Sequence, residues 1–323
     1  MPSNGKGCDA MGKADSAIKG FMSDPENFAD LINMGLFGEP VVAASELRPM
    51  DSAMGLSLHR DGEKKVTGRV ERIVDDLRLA QIVMGDGAAT YVVLGAEYQM
   101  LPHQAMPVRC LLDYGLAYAD QVLTLGRKNR EGEPPRDSAA FLSGLLPGDR
   151  LNPVVIVVLY LGGEPWTAPL RLSDMLTAKD EKILRHSLDC KVNLVTPERI
   201  AQFAGRHDSQ LWKTMRAISE AHRGREALRA AMEEKTFEQM TNEAVRLINT
   251  VLGTQIPLNH KEGGYVNMTN ALREMEIELD DYRSRLKDYQ GQVKDYQSQV
   301  KQKDAEMERL RQEIAMLRGL ARA

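Results

Sequence analysis

The chain opens on polar, glycine-rich residues 1–12, a pattern that predicts a disordered start. From Lys13 onward, apolar residues recur at helical spacing: Ile18, Phe21, Met22, Phe28, Leu31 and Ile32. Asp24-Pro25 interrupts the run and predicts a second helix, with Pro25 in its first turn and Asp24 or Ser23 near its cap. Residues 38–70 show no sustained period and predict irregular chain with one short strand around Glu46–Pro49. Two alternating runs follow, Asp76–Met84 and Thr90–Gln99, with Gly85-Asp86-Gly87 between them. Asp-Gly between alternating runs predicts an antiparallel hairpin. Val108, Leu111, Leu112, Leu116, Ala119 and Leu123 predict a helix over Pro107–Lys128, and a polar connector, Asn129–Ser138, follows it. The unbroken apolar run Pro153–Leu161 predicts a strand buried on both faces, and Lys191–Pro197 predicts another. Residues 198–256 read as helical throughout, and 257–271 as a linker. This order predicts an α/β fold, a mixed central sheet flanked by helices over 13–256, with a helical extension.

The tail has a different period. From Leu272 a heptad places Leu272, Leu279, Leu286, Val293, Val300, Met307, Ile314 and Ala321 at a. It places Met275, Tyr282, Tyr289, Tyr296, Lys303, Leu310 and Leu317 at d. An unbroken 3–4 spacing predicts a C-terminal coiled coil over 272–323, about 75 Å long at ~1.5 Å per residue. Val293, Val300 and Ile314 at a, with Leu310 and Leu317 at d, favour a parallel homodimer. The pairs Glu278–Arg283, Glu306–Arg311 and Glu313–Arg318 would attract across it. Three tyrosines at d leave a trimer as the alternative.

Composition narrows the function classes. A formal charge of −4 excludes a global basic field, so any nucleic-acid contact must use local patches. Cys8, Cys110 and Cys190 are far apart and lack metal-ligand spacing. They read as reduced thiols in a cytoplasmic protein. No apolar leader opens the sequence, and the longest apolar stretch, Val154–Leu161, falls far short of the ~20 residues that span a membrane.

The hairpin carries the candidate chemistry. Asp76 begins the first strand, and Glu97 and Gln99 lie two apart near the end of the second, so they share a face. An antiparallel hairpin brings the start of one strand beside the end of the other, where Asp76 can approach Glu97. Paired carboxylates call for a neutralising cation, and oxygen donors suit Mg²⁺, with the Tyr98 carbonyl as a third ligand. Spacing alone favours the plainer reading, a strand cap and an exposed strand end.

The segments 13–33, 74–100, 102–122, 141–176 and 191–197 together resemble the Rpn family of recombination-promoting nucleases and putative transposases. That family belongs to the PD-(D/E)XK superfamily, and the resemblance covers residues 13–220. It implies a restriction-endonuclease-like core and Mg²⁺-dependent cleavage of DNA, with Mn²⁺ as a substitute. Carried over by position, Asp76 takes the metal-binding Asp, with Asp75 as the adjacent alternative, and Glu97 takes the metal-binding Glu. Gln99 stands where the superfamily has Lys. Lys19, four residues from Asp15 on the first helix, is a candidate to supply that missing charge. His103, Arg109 and Gln121 are candidate DNA contacts, because the following helix lies near the active site in this superfamily. A second reading keeps the fold without its catalysis: a binding or assembly protein oligomerised by its tail.

Overall fold

The computed structural model describes residues 5–59, 66–83, 87–131, 142–177, 180–261 and 263–320. Helix α1 (Gly5–Met22) begins at Gly5 rather than Lys13, so most of the expected disordered start is helical, and residues 1–4 lie outside the described residues. Helix α2 (Pro25–Ile32) starts as its sequence dictates. The Asp24 carboxylate accepts the Glu26 N–H at 3.0 Å, and Pro25 fills a position where no donor is needed.

The expected irregular segment 38–70 is the largest departure. Strand β1 (Leu47–Pro49) is the short strand the sequence suggested. Strands β2 (Ala53–His59) and β3 (Val66–Ile73) then form a separate antiparallel ribbon. The predicted hairpin is present as β4 (Asp76–Val83) and β5 (Ala89–Gln99). Of its expected turn, residues 84–86 lie outside the described residues, and Gly87 has a left-handed φ of 82°. Strands β6 (Val154–Tyr160) and β7 (Asn193–Val195) add parallel to β5, giving a five-stranded mixed sheet ordered β1-β4-β5-β6-β7. β6 is an interior strand and is buried, as its unbroken apolar run requires.

Helices cover both faces. On one, Met106, Cys110, Leu116 and Ala117 of α3 (Met106–Glu131) pack on Leu77, Val93, Ile156 and Val158. Of the predicted apolar side of α3, Leu111 and Leu116 are packed, whereas Val108, Leu112 and Leu123 are exposed. Small residues at 110 and 117 bring the helix close to the sheet instead. On the other face, Arg78 of β4 donates to the Met22 carbonyl of α1, and its guanidinium lies 4.3 Å from the ring centre of Phe28 in α2.

One stripe of α3 does a second job. β7 pairs with β6 only at Val157–Leu159, which leaves the start of β6 short of partners. Tyr114 and Tyr118 accept the N–H groups of Ile156 and Val154, each at 3.2 Å. Gln121 both donates to the Asn152 carbonyl and accepts its N–H. A helix advances ~5 Å over three or four residues and a strand ~6.6 Å over two, so the stripe keeps step with the strand edge.

Residues 198–256 are helical but broken, into α5 (Pro197–Ala201), α6 (Gln210–Arg223), α7 (Arg225–Met232) and α8 (Asn242–Leu252). Thr196, Ser209 and Thr241 cap three of these starts, each accepting an N–H three residues on. A short helix, α4 (Glu181–Leu184), precedes them. The expected linker is tied down. Asn242 and Asn259 exchange two hydrogen bonds, and Met240 pairs with Val266. From Met268 a single helix, α9, runs to Leu320. The chain divides into two compact units, Met1–Met268 and Thr269–Ala323. Among the described residues no helix is long and apolar enough to cross a membrane.

Gly162, just beyond β6, meets the loop that follows β5. A Cβ there would stand 2.4 Å from the Met100 carbonyl oxygen and from the Tyr160 hydroxyl. Gly162→Ala is therefore expected to cost about 1–3 kcal/mol through overpacking. A denaturant melt with an unchanged midpoint would show that the loop gives way freely.

Candidate functional site

The β4–β5 register decides which polar groups can meet. Asp76 pairs with Ala96, so its side chain lies on the face of Ala96 and Tyr98, away from Glu97. The expectation that Asp76 approaches Glu97 is corrected here. A hairpin register one residue different would have brought them together; this one turns them to opposite faces. Asp76 instead forms an ion pair with Arg78 at 2.9 Å, and the Tyr98 hydroxyl donates to the same carboxylate oxygen at 3.4 Å. Burial, then the charge of Asp76, raises the Tyr98 hydroxyl well above its usual range, so it stays protonated and donates. This cluster ties the hairpin to α1 and α2 and is structural.

Asp75, the adjacent alternative, is placed differently from Asp76. It sits just before β4, and its carboxylate accepts the Tyr98 N–H at 2.9 Å, closing the ladder where β4 has ended. In an extended strand a residue's N–H and C=O point the same way, so the Tyr98 carbonyl also faces Asp75. Lys19 Nζ of α1 lies 3.4 Å from Asp75 and 3.0 Å from Asp15. Burial alone would lower the Lys19 ammonium, but the hydrogen bond to Asp15 and the charge of Asp75 outweigh it and the net shift is upward. Lys19 is thus held as a cation against Asp75. Lys19 therefore pairs with Asp15 on its own helix and also reaches Asp75.

Glu97 is completely buried on the α3 face, where Arg109 Nη2 reaches its carboxylate at 2.6 Å. Gln99 follows on the same face and is half-buried. His103 lies in the β5–α3 loop, where its carbonyl accepts the Met106 N–H and its ring Nδ1 is buried rather than turned to solvent. Gln121 stands twelve residues beyond Arg109 on α3, about 18 Å along the helix. Both ends of its amide are committed to Asn152. The structure therefore pairs Asp75 with Lys19 and Glu97 with Arg109, and Gln99 shares the face of Glu97. It leaves Asp76 on the far face and Gln121 in the edge-capping stripe. Arg78 escaped the sequence reading altogether; the signal for it was a lone charge inside an apolar strand, which demands a buried partner.

The donor set suits a hard divalent ion: two carboxylates and a main-chain carbonyl, all oxygens. Among the described residues no group of three His, Cys, Asp or Glu side chains could hold an ion. Any Mg²⁺ here would complete its shell with water and substrate oxygens, as it ordinarily does. Meanwhile each carboxylate has its own protein cation, Asp75 with Lys19 and Glu97 with Arg109.

Scans of family models, of curated proteins and of solved structures find no match to this chain.

Proposed function

We propose that this protein is a Mg²⁺-dependent endonuclease that hydrolyses DNA, of the Rpn, transposase-associated PD-(D/E)XK type. Its five-stranded mixed sheet with flanking helices is then a restriction-endonuclease-like core. The observations that support the reading are two ion pairs flanking Tyr98, Asp75 with Lys19 beside the Tyr98 N–H and Glu97 with Arg109 one residue before it. The family-like segments supply all of these residues.

Asp75, Glu97 and the Tyr98 carbonyl would hold the ion, which when bound supplies charge stabilisation on the phosphate and a more acidic water. Lys19 supplies the positive charge that Gln99 cannot. Gln99, on the Glu97 face, can orient a water or a phosphate oxygen through its amide but neither gives nor takes a proton. Arg109 neutralises Glu97 in the free protein and is positioned, from the first turns of α3, to take a DNA phosphate. Because the chain is acidic overall, DNA binding would rest on such local cations and fall steeply with salt.

The test is direct. Purified protein with supercoiled plasmid and Mg²⁺ or Mn²⁺ is expected to nick or linearise it, and Glu97→Gln is expected to lose this. Equal cleavage by both proteins, or none by either across metals and salt, would sink the proposal. Salt-dependent DNA binding without cleavage would instead favour the binding or assembly reading, to which the two protein cations at the carboxylates lend support.

A further inference from the structure

The helix α9 runs unbroken for 53 residues, far beyond the length of an ordinary helix in a folded domain. Its heptad seam is uncovered. Leu279, Leu286, Val293, Val300, Met307 and Ile314 at a, and Tyr282, Tyr289, Tyr296 and Leu310 at d, are 38–66% exposed. Ten large apolar or aromatic side chains in one stripe are far more than scattered surface residues. Arg285–Asp281 and Arg311–Glu308 along the helix are exposed ion pairs, of the kind that stabilises a helix only weakly. In proteins a helix draws most of its stability from a covered apolar face.

We propose that the seam is covered by a second copy of the same chain, parallel and in register. Charge complementarity selects that partner and that orientation. In a parallel pair each g position faces the e position of the next heptad in the partner. Glu278–Arg283, Glu306–Arg311 and Glu313–Arg318 then attract, each occurring twice by symmetry, and no like charges meet at these flanks. In an antiparallel pair over the same length, Arg285–Glu313 and Glu276–Arg318 attract, but Arg283 faces Arg311. Lys303 fixes the register. In register, both copies of Lys303 share one layer of the seam. A slip of one heptad would spread them over two layers, against Tyr296 and Leu310. The β-branched residues at a and the leucines at d toward the C-terminal end fit two strands. This inference does not depend on the chemistry at the hairpin, since both copies enter the rod from the same end whatever they carry.

Sedimentation equilibrium on the full-length chain at micromolar concentration tests the partner. A mass of about 72 kDa, twice 36.0 kDa, is expected. Val293→Asp with Val300→Asp is expected to return it to a monomer while the far-UV signal of the N-terminal unit persists. Oxidation of Leu279→Cys tests the orientation, with the unsubstituted protein as control. In the parallel pair the two thiols adjoin and a covalent dimer forms. In the antiparallel pair Leu279 lies opposite Leu317, about 57 Å from its copy at ~1.5 Å per residue. A monomeric or trimeric mass for the unsubstituted chain overturns the proposal. So does a dimer in which Leu279→Cys fails to cross-link but Leu279→Cys and Leu317→Cys chains cross-link to each other.

Discussion

Asp75→Asn is expected to reduce Mg²⁺-dependent cleavage about a thousandfold, while Asp76→Asn leaves the single-turnover rate within about threefold. The two carboxylates are neighbours in sequence but not in role. Asp75 faces the end of the ladder, bound to the Tyr98 N–H and to Lys19. Asp76 faces the helix layer, locked to Arg78, whose side chain is almost fully buried. Asp76→Asn should therefore act on stability: a buried guanidinium loses its counter-charge, at a cost of about 3 kcal/mol. Single-turnover kinetics and thermal melts on both variants separate the two roles. An inactive but stable Asp76→Asn, beside an active Asp75→Asn, would return the metal site to Asp76 and overturn the register argument.

Arg109→Met carries the second large effect. Glu97 has no solvent exposure, and Arg109 is the cation against it at 2.6 Å. Removing that charge while keeping the stem is expected to cost about 3 kcal/mol, because the carboxylate stays buried. Mg²⁺ should then return much of the loss: an ion bound only by the folded state adds about 2.7 kcal/mol at a hundredfold excess over its Kd. The unsubstituted protein should respond less, since there Arg109 competes with the ion for Glu97. Melting curves with and without Mg²⁺ measure both quantities. DNA affinity at low salt should fall in the same variant, because Arg109 is also the proposed phosphate contact. A variant as stable as the parent, and equally indifferent to Mg²⁺, would show that Arg109 neither balances Glu97 nor shields it from the ion.

The strong periods in the sequence were read correctly, and the weak ones were not. The hairpin, the buried strand β6, the cap at Asp24-Pro25 and the long terminal helix follow from alternation, an unbroken apolar run, cap chemistry and the heptad. The ribbon β2–β3 was missed, although Met54, Leu56 and Leu58 alternate, because glycines and a charged stretch dilute the pattern around them. The breaks within 198–256 were signalled by Thr196, Ser209 and Thr241, which a reading for apolar spacing alone passed over. At the candidate site, residue types did not reveal that Asp76 pairs with Ala96 and so faces away from Glu97. Pairing parity depends on the turn between Val83 and Ala89, and composition does not reveal whether Asp75 or Asp76 faces Glu97. Arg109 as partner of Glu97 was likewise beyond reach, since it depends on how closely α3 approaches the sheet.

The stripe of Tyr114, Tyr118 and Gln121 protects the protein against its own kind. A strand half-covered by a three-residue neighbour offers free amide donors to any extended chain that drifts past, the usual opening for edge-to-edge aggregation. Here those donors are already engaged by side chains of α3. Tethering two domains at one end of a rod would hold them at roughly millimolar effective concentration, where an open edge invites strand exchange. Replacing the two phenol hydroxyls, as Tyr114→Phe with Tyr118→Phe, would keep the rings and restore that liability.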